Sequence, residues 1–248
     1  MNEAEFFDAT GYLRILDAVD LDVLSAMHDI VKRDTNARRE PLRVNARGEV
    51  ARLDRLMERD PIFIEALRSP RIVEALTKIL GPTVEVVRHR HNHATLNRPG
   101  DIPFRLHRDI QQWSQPLVSV FFYFEDSLVE NGCTTVVPAT HRLPYAGAQS
   151  GGGGGNWADE HDEYLCLIGQ ELPVEVPRGG VLLLNSLAFH SVGRSRVQRS
   201  RVSCVFALRA VDELRPRYDE ATAALLYGHP RNLSNDVLEV SGSLTKGS

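Results

Sequence analysis

Lysine is nearly missing from this chain: of its 29 basic residues only Lys32, Lys78 and Lys246 are not arginine. Such a bias follows the base composition of a GC-rich genome more often than any function. Cysteine is equally scarce. Cys133, Cys166 and Cys204 form no close pair, which argues against a disulfide framework and fits a reduced, cytoplasmic protein. No apolar run approaches the roughly 20 residues a membrane span requires. The opening MNEAEFFDATGY has no basic stretch leading into an apolar one, so neither a span nor a secretory signal is expected. Positive charge is not in excess either: a net charge of -4 gives no general attraction to nucleic acid or anionic lipid. There is no internal repeat, and nothing in the composition speaks to oligomeric state. What is present is an ordinary globular mixture, 42% hydrophobic and 25% charged. Its 248 residues suit one β-rich domain with a substantial core.

Residues 3–35 read as helix. Phe6, Phe7 and Tyr12 lead in, and Leu21, Leu24, Met27, His28 and Val31 then recur at the spacing of a buried helical face, with Asp20 as N-cap. A second helix is expected over 61–80, from Pro61 to the Gly81-Pro82 stop. Beyond Pro82 the pattern becomes short apolar or alternating runs broken by Gly, Pro and Asn, the signature of a β-sandwich. Strands are expected at 84–96, 104–109, 117–124, 134–138, 170–175, 180–185 and 200–211. A loop over 147–161 carries five successive glycines, which have too much backbone freedom to pack. The polar stretch from Asn235 onward is expected to fray. The expected organisation is a single domain over 1–248: a mainly helical part at 1–82, a sandwich at 83–212 and a C-terminal segment at 213–248.

Within this frame the sharpest local feature is His107-Arg108-Asp109. On a strand, period-two alternation sets the imidazole and the carboxylate on one face and turns Arg108 away. His190 follows the apolar strand ending at Asn185 and sits at a sheet rim, where it can supply a third ligand. Two histidines and a carboxylate on one face of an octahedral ion leave three positions open, an arrangement suited to Fe(II) oxygenases. A keto acid bound there needs a cation at its far end. Arg201, eleven residues after His190, offers a guanidinium for a two-pronged carboxylate contact, and Ser203 shares its face. An H-x-D pair alone arises readily by chance; the joint order and spacing carry the reading. A rival zinc set, His89, His91 and His93, would alternate along one strand and span about 13 Å, too far to surround one ion.

With these residues assembled, the chain resembles the phytanoyl-CoA dioxygenase family through most of its length. Phe6-Phe7-Asp8-Ala9-Thr10-Gly11-Tyr12 is similar to the family's first helix, and His107-Arg108-Asp109 stands where the family usually has H-Q-D. The run from Glu130-Asn131-Gly132-Cys133 to Pro138-Ala139-Thr140-His141 is close to the family's E-N-G-C…P-G-S-H, with Ala139 in place of the common glycine. Gly179-Gly180-Val181 through His190 matches its distal-histidine strand, and Arg201 stands at the family's spacing. The resemblance implies a double-stranded β-helix, a cupin-like jelly roll, using Fe(II), 2-oxoglutarate and O₂. It places Asn92 where relatives carry an amide facing the active site, and Trp113 where some relatives pack an aromatic on substrate. A carboxylate at Asp109, rather than a small residue, argues against a halogenase.

The expected activity is oxidation of a small-molecule metabolite, hydroxylation by default, with natural-product tailoring as its expected setting. Arg108, His93 and its strand, and the glycine-rich loop with Asn156 and Trp157 are candidate substrate contacts, and that loop is expected to order over substrate. Two alternatives stay open: a cupin-type metal enzyme that uses no keto acid, and a non-catalytic binding jelly roll.

Overall fold

The helix expected over 3–35 is in fact two helices with a strand between them. In the computed structural model, which describes residues 1–101, 104–109, 117–143, 157–198, 200–211 and 223–229, helix α1 (Glu3–Thr10) ends at Gly11. That residue's φ of 83° lets the chain turn at once into strand β1 (Tyr12–Ile15). Helix α2 (Leu21–Asn36) starts at Asp20, whose carboxylate accepts from the Asp22 amide, as expected. Strands β2 (Leu42–Val44) and β3 (Val50–Asp54) follow. The second expected helix is divided into α3 (Ile62–Leu67) and α4 (Pro70–Leu80), because Pro70 cannot continue the helix before it.

The remaining strands are β4 (Val84–Val87), β5 (His93–Asn97), β6 (Val118–Tyr123), β7 (Thr134–Val136), β8 (Leu172–Pro173), β9 (Val181–Asn185), β10 (His190–Val192), β11 (Arg201–Ala210) and β12 (Ala223–Tyr227). They form two antiparallel sheets, the jelly-roll arrangement. The larger runs β1-β9-β6-β11-β5-β3-β2, with β4 pairing both β11 and β12; the smaller runs β10-β7-β8. The part expected to be mainly helical thus also gives the large sheet three strands.

Both faces of the large sheet are covered, which is why its central strands read as continuous apolar runs rather than alternating ones. Val118, Val120, Phe122, Leu183, Cys204 and Phe206 pack with Leu24, Met27, Phe63 and Leu76 of the helices. On the opposite face Tyr123, Leu182 and Leu184 meet Val136 of the small sheet and Val174 and Val176 beyond it. The candidate chemistry lies on this second face.

The strand expected over 84–96 is broken. Residues 88–92 form a turn, with His91 at φ 47°, so His89, His91 and His93 do not share one strand face. Residues 104–109 pair only through isolated bridges at His107, to Trp157 and to His190. The glycine-rich run, Asn156, Trp113 and the stretch from Asn235 lie outside the described residues. Among the described residues no helix is long and apolar enough to cross a membrane.

Two turn positions explain motif residues. Gly132 has φ 76°, and a Cβ there would lie 2.3 Å from the Gly193 carbonyl oxygen, so only glycine lets the strands carrying Cys133 and Gly193 approach. Ala139 keeps the left-handed conformation (φ 65°) that glycine would adopt without strain. Relieving that strain, Ala139→Gly is expected to stabilise the fold by about 1 kcal/mol. A thermal melt should rise by roughly 2–4 °C; an unchanged or lower midpoint would show that the strain is relaxed by other means.

Candidate active site

The three residues expected to share a face do meet. The ligand atoms of His107, Asp109 and His190 all lie within 4.8 Å of one another. Asp109 Oδ1 is 3.7 Å from His107 Nε2 and 3.6 Å from His190 Nε2. The two histidines are cross-strand neighbours: each amide donates to the other's carbonyl at 2.9 Å, and the rings stand 4.3 Å apart. Each ring is also oriented from behind. His107 Nδ1 lies 2.8 Å from the Arg105 carbonyl and His190 Nδ1 lies 3.0 Å from that of Ala188. A carbonyl only accepts, so both Nδ1 atoms donate their proton to it, which leaves Nε2 as the nitrogen of each ring that faces Asp109.

Asp109 is held with equal care. Its other oxygen accepts from Ser119 Oγ at 3.2 Å, its amide donates to the Ser186 carbonyl, and Arg90 donates to its own carbonyl. Burial pushes its carboxyl up, but His91, His190 and His107 outweigh that and hold it well below the usual carboxylate range. Burial lowers the His190 imidazole to about 4 against the pull of Asp109. At neutral pH the site therefore presents a carboxylate and a neutral imidazole, the protonation states a metal ligand needs. Three facial donors around one ion at about 2.1 Å sit about 3 Å apart. The observed separations are slightly wider and close by small side-chain rotations, so the donor set fits an iron ion.

Cross-strand register extends the site inward. On the face shared with Ser119, β6 presents Phe121 opposite Val205 and Tyr123 opposite Ser203; β5 presents His93, Thr95 and Asn97 opposite Val205, Ser203 and Arg201. Arg201 is 2% exposed. Its guanidinium stacks over the Tyr123 ring at 5.4 Å and donates to Ser127 Oγ at 3.4 Å, while its Nε is buried without a partner. Among the described residues it makes no ion pair. Glu125 acts on it only from beyond contact distance; a buried cation without a contacting carboxylate is costly, and it is stabilised when one arrives. Ser203 lies beside it on the same face.

The other expected contacts divide. Trp157 packs on His107 at 4.9 Å and on Phe104 at 5.7 Å, with Arg105 stacked on its ring, forming an aromatic wall beside the triad. His93 is buried on the inner face, 5.7 Å from His91 ring to ring. Arg108 and Asn92 are not brought to the triad. Arg108 is buried, donating to the Thr140 and Leu143 carbonyls and stacking on Phe189, so it anchors the His107 strap. The Asn92 amide accepts from the Met57 amide and donates to Glu58 and to the Arg88 carbonyl; it is spent on the 88–92 turn.

Sequence reasoning missed Ser119, Tyr123 and the approach of His91. Ser119 and Tyr123 do leave a trace, being polar atoms at inward parity within the otherwise apolar run VSVFFYF. His91 Nε2 reaches to 3.2 Å from Asp109 Oδ1 only because of the turn.

Known proteins share this fold. "Dioxygenase sphC" of Aspergillus fumigatus (strain CBS 144.89 / FGSC A1163 / CEA10) is 25% identical over 118 residues, covering 43% of this chain and 28% of that protein. The match thus spans under a third of the curated relative's length. Among solved structures, the epimerase SnoN, crystallised with Fe3+, alpha ketoglutarate and nogalamycin RO, superposes with a TM-score of 0.67 at 16% identity, over 84% of this chain and 82% of its own. The alpha-ketoglutarate-dependent carbocyclase SnoK of nogalamycin biosynthesis gives 0.66 at 14%, over 96% and 89%. HygX from Streptomyces hygroscopicus, with nickel and 2-oxoglutarate bound, gives 0.63 at 16%, over 84% and 86%. At these identities the fold is what is shared. The family's own sequence profile, Phytanoyl-CoA dioxygenase (PhyH), matches residues 7–203, a stretch containing all three triad residues and both Arg201 and Ser203. With four-fifths of its length matched and the resemblance first seen in its motifs borne out, the chain belongs to the phytanoyl-CoA dioxygenase family.

Proposed function

We propose that this protein is an Fe(II)/2-oxoglutarate-dependent dioxygenase that hydroxylates a small-molecule metabolite. The observation that carries the reading is Arg201, a buried guanidinium with no ion pair among the described residues, on the sheet face that also bears the triad's Ser119 anchor. A metal enzyme or binding jelly roll whose ligand carried no carboxylate would have no reason to keep that cation out of water.

His107, Asp109 and His190 would hold the iron, and Arg201 with Ser203 would take the distal carboxylate of 2-oxoglutarate. When bound, the iron and keto acid supply the oxidising power, O₂ being consumed as 2-oxoglutarate goes to succinate and CO₂ and a substrate C–H becomes C–OH. The chain's own part is positional. Backbone carbonyls fix the ring orientation of both histidines, Ser119 fixes the carboxylate, and the Tyr123 ring flanks the guanidinium. The Trp157–Phe104 wall shields the triad on one side and offers a flat apolar surface to a substrate ring. Relatives of this fold that act in nogalamycin biosynthesis, or bind hygromycin B, support a natural-product metabolite as substrate.

The test is anaerobic addition of Fe(II) and then 2-oxoglutarate to the apo-protein, watching the visible spectrum for the metal-to-keto-acid charge-transfer band. The band is expected with the wild-type protein and is expected to vanish in His107→Ala. Iron binding with no band would sink the keto-acid reading and put the cupin-type enzyme in its place.

A further inference from the structure

We infer that the substrate carries an anionic group, a phosphate or a carboxylate, which docks in an arginine-lined cleft whose His91 wall touches the triad carboxylate. The inference deepens the proposed function and rests on it for the reaction, though not for the binding itself.

The cleft has a volume of about 520 Å³ and lies between the β2–β3 edge and the 88–92 turn. That is metabolite-sized. Four arginines, Arg43, Arg52, Arg55 and Arg88, line it against two carboxylates, Asp54 and Glu58. The carboxylates are already committed. Asp54 is shared between Arg52 at 2.6 Å and Arg43 at 3.4 Å, and Glu58 lies 3.4 Å from Arg88 while accepting from Asn92. Positive charge therefore remains in excess, and it is badly satisfied. Arg88 Nε is buried with no hydrogen-bond partner. Arg55 makes no ion pair among the described residues and is presented by a left-handed backbone (φ 58°, ψ 51°), a conformation an arginine adopts at a cost. Burial pushes the Arg52 guanidinium down from its ordinary value, its pairing with Asp54 notwithstanding. These are the features of a site built to receive an anion.

Position ties the cleft to the chemistry. His91 lines it, and His91 Nε2 lies 3.2 Å from the Asp109 oxygen that faces both other triad residues. The cleft therefore meets the triad at Asp109 through His91, whereas Trp157 packs on His107. The chain as a whole, with a net charge of -4, gives such a ligand no general attraction.

Calorimetric titration of inorganic phosphate, and separately of acetate, into the metal-free protein at low ionic strength tests the cleft alone. At least one is expected to bind, and Arg55→Ala and Arg88→Ala are each expected to weaken binding by about tenfold. Arg88→Gln, which keeps the side chain's bulk, should weaken it similarly. No binding in the wild type, or binding that the arginine variants leave unchanged, overturns the inference. A second arm loads the protein with Mn(II) and follows ³¹P relaxation of inorganic phosphate. Strong relaxation that is lost in Arg88→Ala places the anion beside the metal and supports both readings. Arginine-dependent binding without relaxation, in protein whose Mn(II) signal is present and is lost in His107→Ala, keeps the metal site and the proposed function but overturns the placement of the anion beside the metal.

Discussion

Arg201→Met is expected to raise the 2-oxoglutarate concentration needed for half-maximal turnover by about a hundredfold or more, while leaving Fe(II) affinity nearly unchanged. Truncating one partner of a buried charge pair costs about 2–5 kcal/mol, much of it from leaving the other charge unpaired. The same substitution should not lower the melting temperature of the protein without its cosubstrate, and a small rise is expected. Arg201 is 2% exposed, burial lowers its pKa, and its Nε has no partner, so the unliganded fold carries a desolvated cation that methionine would replace with apolar contact. Arg201→Lys should recover little, because a point charge cannot make the two-pronged contact. The paired readout separates a cosubstrate anchor from a structural arginine. A fall in melting temperature with normal 2-oxoglutarate dependence would sink the assignment.

Metal affinity should respond in a graded way around Asp109. His190→Ala is expected to weaken Fe(II) or Co(II) binding by more than about a hundredfold, measured by anaerobic calorimetry. Ser119→Ala should weaken it by about tenfold, since partners that orient a ligand typically contribute 10- to 100-fold. Ser119 touches Asp109 Oδ2, on the side of the carboxylate away from the histidines, and it is itself braced by Ser186 Oγ at 3.0 Å. Equal affinities in wild type and His190→Ala would remove His190 from the coordination set.

Much of this site was legible in the sequence because strand parity is a strict rule. His107 and Asp109 share a side, Arg108 turns away, and Arg201 and Ser203 face inward together. Arg108, turned away by parity yet offered as a substrate contact, is buried against Phe189 and Tyr164. What the sequence hid was non-local. The run R-H-R-H-N-H alternates like a strand and contains no glycine or proline, yet it turns, held by the Asn92 amide bonded to Met57 and Glu58 more than thirty residues earlier. Strand β1 was hidden in a helical pattern, because Tyr12–Ile15 becomes a strand only by pairing with β9, 165 or more residues further on. Ser119 looks like an ordinary interruption of an apolar run until the fold sets it against Asp109.

The reciprocal bonds between His107 and His190 have a consequence for how such an enzyme lives with its metal. Because backbone pairing and the carbonyls behind each ring set the ligand positions, the pocket is assembled, to within small side-chain rotations, before any ion arrives. The metal is then a removable part rather than a keystone. Chelation should leave a folded protein that regains its ion at once, in contrast to small zinc domains that come apart when stripped. In a cell where ferrous iron is intermittently scarce, such a protein would persist as a standing reserve of apo-enzyme, its activity following iron supply from one minute to the next without fresh synthesis.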